Sequence, residues 1–127
     1  MALTASGTFG GSTDGSNPVV TYTPEAGALF IVICNASGNT NTAPTCSDDQ
    51  GGIYTLMGTI AWDGSASMGS WFVRTSPCMD VLHTVTAVLG TQTAAVIGLV
   101  HVENASRFGA SAIRSFGVQA NQTSGTT

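Results

Sequence analysis

Apolar and polar residues alternate with a period of two in short runs along this chain, and stretches rich in glycine, asparagine and aspartate separate the runs. A period of two puts alternate side chains on opposite faces of an extended backbone, so each run predicts a strand. Pro18 opens a strand over 19–23, and 24–27 reads as a turn. The run 28–34 is the most apolar of all; it is apolar on both faces, which predicts a central strand covered on both sides. A polar loop over 35–44 is followed by 45–47, which leads into a strong turn signal at 48–52. Residues 53–57 continue past Gly58 into 59–62, and the interruption predicts a bulge. A turn at 63–65 is followed by strands over 70–75, 81–89 and 94–102. Beyond residue 104 the pattern fades, apart from Ile113, Phe116 and Val118.

Short strands at this spacing, with no helical period anywhere, predict an all-β fold. It is an antiparallel β-sandwich, jelly-roll or immunoglobulin-like, with no significant helix. The sandwich domain spans 18–114. Residues 1–17 form an N-terminal arm or edge strand, and 115–127 a C-terminal arm or linker.

Composition sharpens the picture. Of the 127 residues 43% are hydrophobic, enough for a core, but only 8% are charged against a typical ~25%. There is no lysine, so Ser, Thr, Asn, Gln and Gly must cover the surface. Such surfaces suit faces that pack against copies of themselves, because few charges need desolvating. A net charge of −4, with Arg74, Arg107 and Arg114 scattered, argues against nucleic acid as a partner. No run approaches the ~20 apolar residues of a membrane-spanning helix, and the first residues lack a basic region followed by an apolar stretch of ~7–15 residues, as a secretory signal requires. The expectation is a protein released by cell lysis, or a segment of a longer chain. The three cysteines, Cys34, Cys46 and Cys78, lack metal-ligand spacing and predict buried thiols, with a Cys46–Cys78 bridge as the alternative.

Four segments carry a family likeness. They are 26–32 (Ala-Gly-Ala-Leu-Phe-Ile-Val), 42–55 (from Thr-Ala-Pro-Thr through Ser-Asp-Asp-Gln-Gly-Gly to Tyr-Thr), 69–74 around Trp71, and 94–100. Together they resemble a recurrent β-sandwich module of phage virion structural proteins of tail-fibre, appendage or decoration type. The chain is similar also to jelly-roll subunits of extracellular filaments. The resemblance spans roughly 18–125 and rests on strand and turn motifs, so it implies a fold more than an activity. Modules of this kind carry further β-structure after the 124–127 region, which implies either a minimal version or a sheet completed by another subunit.

Candidate chemistry is sparse. Asp48 and Asp49 beside Gly51 and Gly52 make a weak Ca²⁺ candidate, but the alternating ligands and closing Glu of a calcium loop are missing, and an Asx-type turn explains them better. His83 and His101 fall on separate strands, with Glu103 the one further ligand candidate nearby. No Gly-x-Ser-x-Gly elbow occurs, and the acids sit beside turn residues. We therefore expect no enzyme activity, no cofactor and no metal. Trp62, Asp63 and Trp71 are a weak glycan-binding set; large aromatics serve a core or an interface equally well. Asn35, Asn104 and Asn121 begin Asn-x-Ser/Thr sequons and are possible glycosylation sites.

The expected function is that of a structural, non-catalytic subunit of an extracellular assembly, foremost a phage virion component (fibre, tail or head decoration). It would be homo-oligomeric or bound to other virion or filament proteins, through sheet edges and terminal arms bearing Leu3, Phe9, Phe116 and Val118. The alternatives are a carbohydrate- or receptor-binding module recognising surface glycans, and a subunit of a cellular extracellular filament.

Overall fold

The computed structural model describes residues 3–64 and 66–113. Phe116, Val118 and Asn121 lie outside them. Eight antiparallel strands form two sheets: β1 (Thr4–Ser12), β2 (Val19–Tyr22), β3 (Leu29–Ser37), β4 (Thr45–Asp48), β5 (Tyr54–Trp62), β6 (Ser67–Arg74), β7 (His83–Val88) and β8 (Ala94–Glu103). The larger sheet has the order β1-β8-β3-β6-β5 and the smaller β2-β7-β4. Every connection except the β5–β6 hairpin crosses from one sheet to the other. This is jelly-roll winding. An immunoglobulin-like sandwich keeps its first two strands in one sheet, whereas here they lie in different sheets.

The core sits between the sheets. Alternate residues of β3 (Phe30, Val32, Cys34) and β8 (Ile97, Leu99) meet Val20, Cys46, Val85 and Ala87 from the smaller sheet, with Phe72 of β6 beside them. The bulge expected at Gly58 falls between Leu56 and Gly58, opposite Phe72 and Trp71. The β5–β6 hairpin turns through Asp63 and Gly64, both in the left-handed region (φ 52° and 61°), where Asp is one of the few tolerated non-glycine residues.

Three expectations are resolved by the fold. Residues 4–12, weak in apolar alternation and expected as an arm or an edge strand, form the nine-residue strand β1 on the edge of the larger sheet. β7 begins at His83, not 81, and leaves Val81 and Leu82 exposed. The third concerns β3. It is central, between β8 and β6, but only its inner face is fully buried. Ile33, on the outer face, is 46% exposed. The segment after β8, with a one-turn 3₁₀ helix at Gly109–Ala112, covers just one end of that outer face. There Ala105, Arg107 and Ile113 line an open cleft of about 270 Å³ together with Leu29, Ile31 and Val102.

Candidate functional site

The two sheets present contrasting outer surfaces. Strand register assigns Thr21, Thr45, Ser47, Thr84 and Thr86 to the outside of the smaller sheet, with Val19 and Val88. That is ordinary for a sheet with one solvated face. On the larger sheet the outward positions include Phe9, Val96, Val100, Ile31, Ile33, Ile60, Trp62 and Trp71, with Gly7, Gly11, Gly58, Gly69 and Gly98 between them. None of these is charged. Phe9 is 82% exposed, Val96 55% and Leu3 67%. The sheet's free edge is similar. β1 pairs with β8 through nine consecutive residues without a register shift, and its sequence TASGTFGGS has no charge and no proline. Natural sheets protect such edges with lysine, proline, bulges or short strands. The opposite edge, β5, carries a bulge and is bridged to β4 through Ile53 and Ser47; β1 has no such device.

Trp62 and Trp71 thus share the outer face with each other. Trp62 borders an open depression of about 330 Å³ also lined by Asn35, Ser37, Ser12 and Thr13. Its indole Nε1 is buried without a hydrogen-bond partner among the described residues. Asp63 lies in the hairpin turn beyond it and does not line the depression. Asn35 is exposed in the middle of the outer face, whereas Asn104 occupies the turn after β8 at φ 59°.

The aspartates of the 48–52 turn serve a different purpose from metal binding. Asp48 Oδ1 accepts the Gln50 and Gly52 backbone N–H groups at 2.9 and 2.8 Å, while Gly51 supplies the positive φ of 74°. Asp48 Oδ2 accepts the Tyr54 hydroxyl and Arg74 Nε, each at 2.8 Å. The ion pair is out of water, with side-chain exposures of 0% and 3%. Arg74 Nη1 also donates to the Ser76 and Pro77 carbonyls, tying the turn after β6 to the turn after β4. Burial alone would raise the Asp48 carboxyl. The Arg74, Gly52 and Tyr54 hydrogen bonds and the Arg74 charge outweigh it and hold the carboxyl below its ordinary value. Burial and the adjacent carboxylate push the Tyr54 phenol up, so it stays a neutral donor. Asp49 Oδ1 accepts the Thr84 N–H at 2.8 Å, which pins the same turn to β7. These carboxylates hold loops together. Sequence spacing offered no way to see the Asp48–Arg74 pair, because its partners meet only once β4 and β6 are placed in their sheets.

Gly52 completes this arrangement. A Cβ there would strike Asp48 Oδ2 and approach Arg74 Nε. Gly52→Ala is therefore expected to lower the unfolding free energy by about 1–3 kcal/mol, the usual range for overpacking. A denaturant titration that leaves the midpoint unchanged would contradict this wedge.

The histidines are buried among aromatic rings. His101 stacks on Tyr22 at 3.7 Å between centroids, and His83 meets the Phe30 ring edgewise at 5.2 Å. His83 Nδ1 lies 2.8 Å from the Val81 carbonyl, which only an N–H can satisfy, so Nδ1 carries the proton. Ser6, His101 and Glu103 come together as a hydrolytic triad might, but the geometry differs from one. Ser6 Oγ is 3.1 Å from both ring nitrogens, a position off the ring plane, since an in-plane site at equal distance would collide with ring carbon. Glu103 Oε1 is 3.6 Å from Nδ1. A general base needs the hydroxyl in plane on one nitrogen and the acid on the other. Among the described residues no group of three or more His, Cys, Asp or Glu could hold a metal ion.

All three cysteines are free and buried. Desolvation raises the Cys34 and Cys78 thiols to about 12, and Cys46 higher still. Reactive cysteines need the opposite shift.

Compared with protein-family models, curated proteins and solved structures, the chain matches none.

Proposed function

We propose that this chain is a structural, non-catalytic subunit of an extracellular assembly, foremost a phage virion component (fibre, tail or head decoration), that associates with copies of itself. The observation that carries the reading is the bare edge strand β1. It is nine residues long, flat in register, uncharged and free of proline. Its outer row of backbone N–H and C=O groups is a template for strand addition. The low charge of 8% supports the same reading, since few ions stand between approaching copies.

Thr8→Lys tests it by supplying an inward-pointing edge charge of the kind natural sheets use against pairing. Sedimentation is expected to show that the variant grows into species larger than a dimer only at a concentration at least about tenfold higher than wild type, since about 1.4 kcal/mol lost per contact has that effect. Unchanged assembly by a folded Thr8→Lys protein would remove the edge from the account.

A second reading has its own observation. The depression beside Trp62, with Asn35 and Ser37 on its wall, could seat a neutral sugar on the indole. A glycan-array signal that Trp62→Ala abolishes would favour a carbohydrate-binding module instead.

A further inference from the structure

We infer that the outer face of the five-stranded sheet is a second interface, and that its occupant is the same face of another copy of this chain, packed sheet on sheet about a two-fold axis. The inference rests on the assembly reading above but uses a different surface from the β1 edge.

The comparison within the molecule comes first. Two sheets of one chain face outward; one is surfaced mainly by Thr and Ser, with Val19 and Val88, and the other mainly by Val, Ile, Trp, Phe and Gly, with Asn35, Ser37, Thr55 and Ser67. Burial of apolar area is favourable in proportion to the area removed from water, so only the larger sheet gains from a cover. Its central strand is apolar on both faces, as strands between two layers are. Among the described residues the chain's own cover, 105–113, lies at the Leu29 and Ile31 end. Ile33 and Val96, paired neighbours' rows on β3 and β8, stay about half exposed.

Charge then selects the occupant. The outward positions of this sheet bear no charged side chain, although the chain as a whole carries a net −4. Two copies repel through most of their surfaces but not through this one. A neutral face in an acidic chain has nothing to attract an anionic lipid surface or nucleic acid. A second identical neutral face fits it without desolvating an ion.

Shape agrees with charge. Register places Gly98 between Phe9 and Ile33 in one row, and Val96 between Gly11 and Asn35 in the next. Gly98 is thus a hollow flanked by Phe9 and Ile33, and Gly11 one beside Val96, while β3 presents Leu29, Ile31 and Ile33 as an unbroken ridge. A Cβ built on Gly98 would meet only the Ile33 carbonyl, at 3.7 Å, so a partner's side chain has room to settle there. Under a two-fold axis each contact is made twice, residue to residue in both directions, so knobs and hollows on one face can serve each other. Five strands about 4.8 Å apart and about nine residues long give a footprint on the order of 20 by 30 Å, or ~600 Å² in projection. Accessible area on a face studded with side chains exceeds projected area, and a standard interface takes ~800 Å² per partner. Residues 105–113 occupy one end of that footprint, so the open part suits an interface of the smaller, weaker class.

The test uses the full chain in the Thr8→Lys background, where edge pairing is weakened about tenfold, at concentrations below those at which its edge assembles. Sedimentation velocity is expected to find a dimer of twice the 12.8 kDa chain mass. Adding Val96→Glu should raise its dissociation constant at least about a hundredfold, because an unpaired carboxylate would be buried. Val88→Glu is the control, a valine of similar exposure, 45%, on the outer face of the smaller sheet; it should leave the dimer intact. Circular dichroism confirms that each variant is folded. The inference is overturned if Thr8→Lys is monomeric while wild type assembles, which leaves the edge as the whole interface and the assembly reading intact. It is overturned equally if Val96→Glu dimerises as its parent does. A wild type that is monomeric at every concentration removes both.

Discussion

Replacing Arg74 by Met is expected to lower the unfolding free energy by about 3–5 kcal/mol, because it leaves Asp48 charged and unpaired in a buried site. The Asp48 side chain is fully buried, and Arg74 Nε is its only cationic partner among the described residues, at 2.8 Å. Met keeps much of the aliphatic volume, so the loss reports charge and hydrogen bonding more than packing. The same pair predicts an acid-sensitive stability. The folded Asp48 carboxyl lies below its ordinary value, so its contribution is fully present above the unfolded value of about 3.9 and is lost as pH falls through the folded one. Wild type should lose stability below about pH 4, and Arg74→Met should lack that component. Urea titrations over this range check both statements. A variant within about 1 kcal/mol of wild type at neutral pH would mean that water, not Arg74, satisfies the carboxylate.

The second large effect lies in the core. Phe72→Ala is expected to cost about 3–5 kcal/mol, the range for removing a fully buried phenylalanine where the surroundings cannot collapse. Phe72 is 0% exposed, in register between Val32 and Leu56 on the inner face of the larger sheet. A single denaturant midpoint shift measures it. A loss under about 1.5 kcal/mol would show a core loose enough to refill the space.

Much of this architecture can be read from the residues. The runs at 19–23, 53–62 and 94–102 became strands β2, β5 and β8, because apolar alternation reports directly which faces meet a core; β4 (Thr45–Asp48), with Cys46 its one buried position, is too short to show a period. The Gly58 bulge and the Asp48 turn were legible for the same local reason: glycine and aspartate set backbone geometry within a few residues. β1 was less legible. TASGTFGGS has one large apolar side chain, and Phe9 points outward; the strand exists because its backbone completes a ladder with β8, a long-range cause that leaves little local trace. The burial of His83 and His101 depends likewise on Tyr22 and Phe30 arriving from other strands.

The candidate interface divides along the same line. That 28–34 is apolar on both faces was visible in the sequence, and it predicted two covering layers. The structure supplies one layer and part of another, and Ile33 shows where the second stops. Sequence can state that a face wants a cover; it cannot state whether the cover belongs to the same chain. Glycan binding at Trp62, Asp63 and Trp71 is divided by the fold, since Asp63 stands outside the depression that Trp62 borders. Asn35 adds a constraint: a glycan attached there would stand in the centre of the outer face and exclude a second sheet.

Edge and face point in different directions, so a subunit using both continues to add copies beyond a dimer. The most direct test is the sedimentation-velocity mass of the purified full chain, near neutral pH, across a hundredfold range of concentration (on the order of a 2.7 kcal/mol span in association free energy). The account predicts species heavier than twice 12.8 kDa that grow with concentration. A single 12.8 kDa species throughout would contradict it.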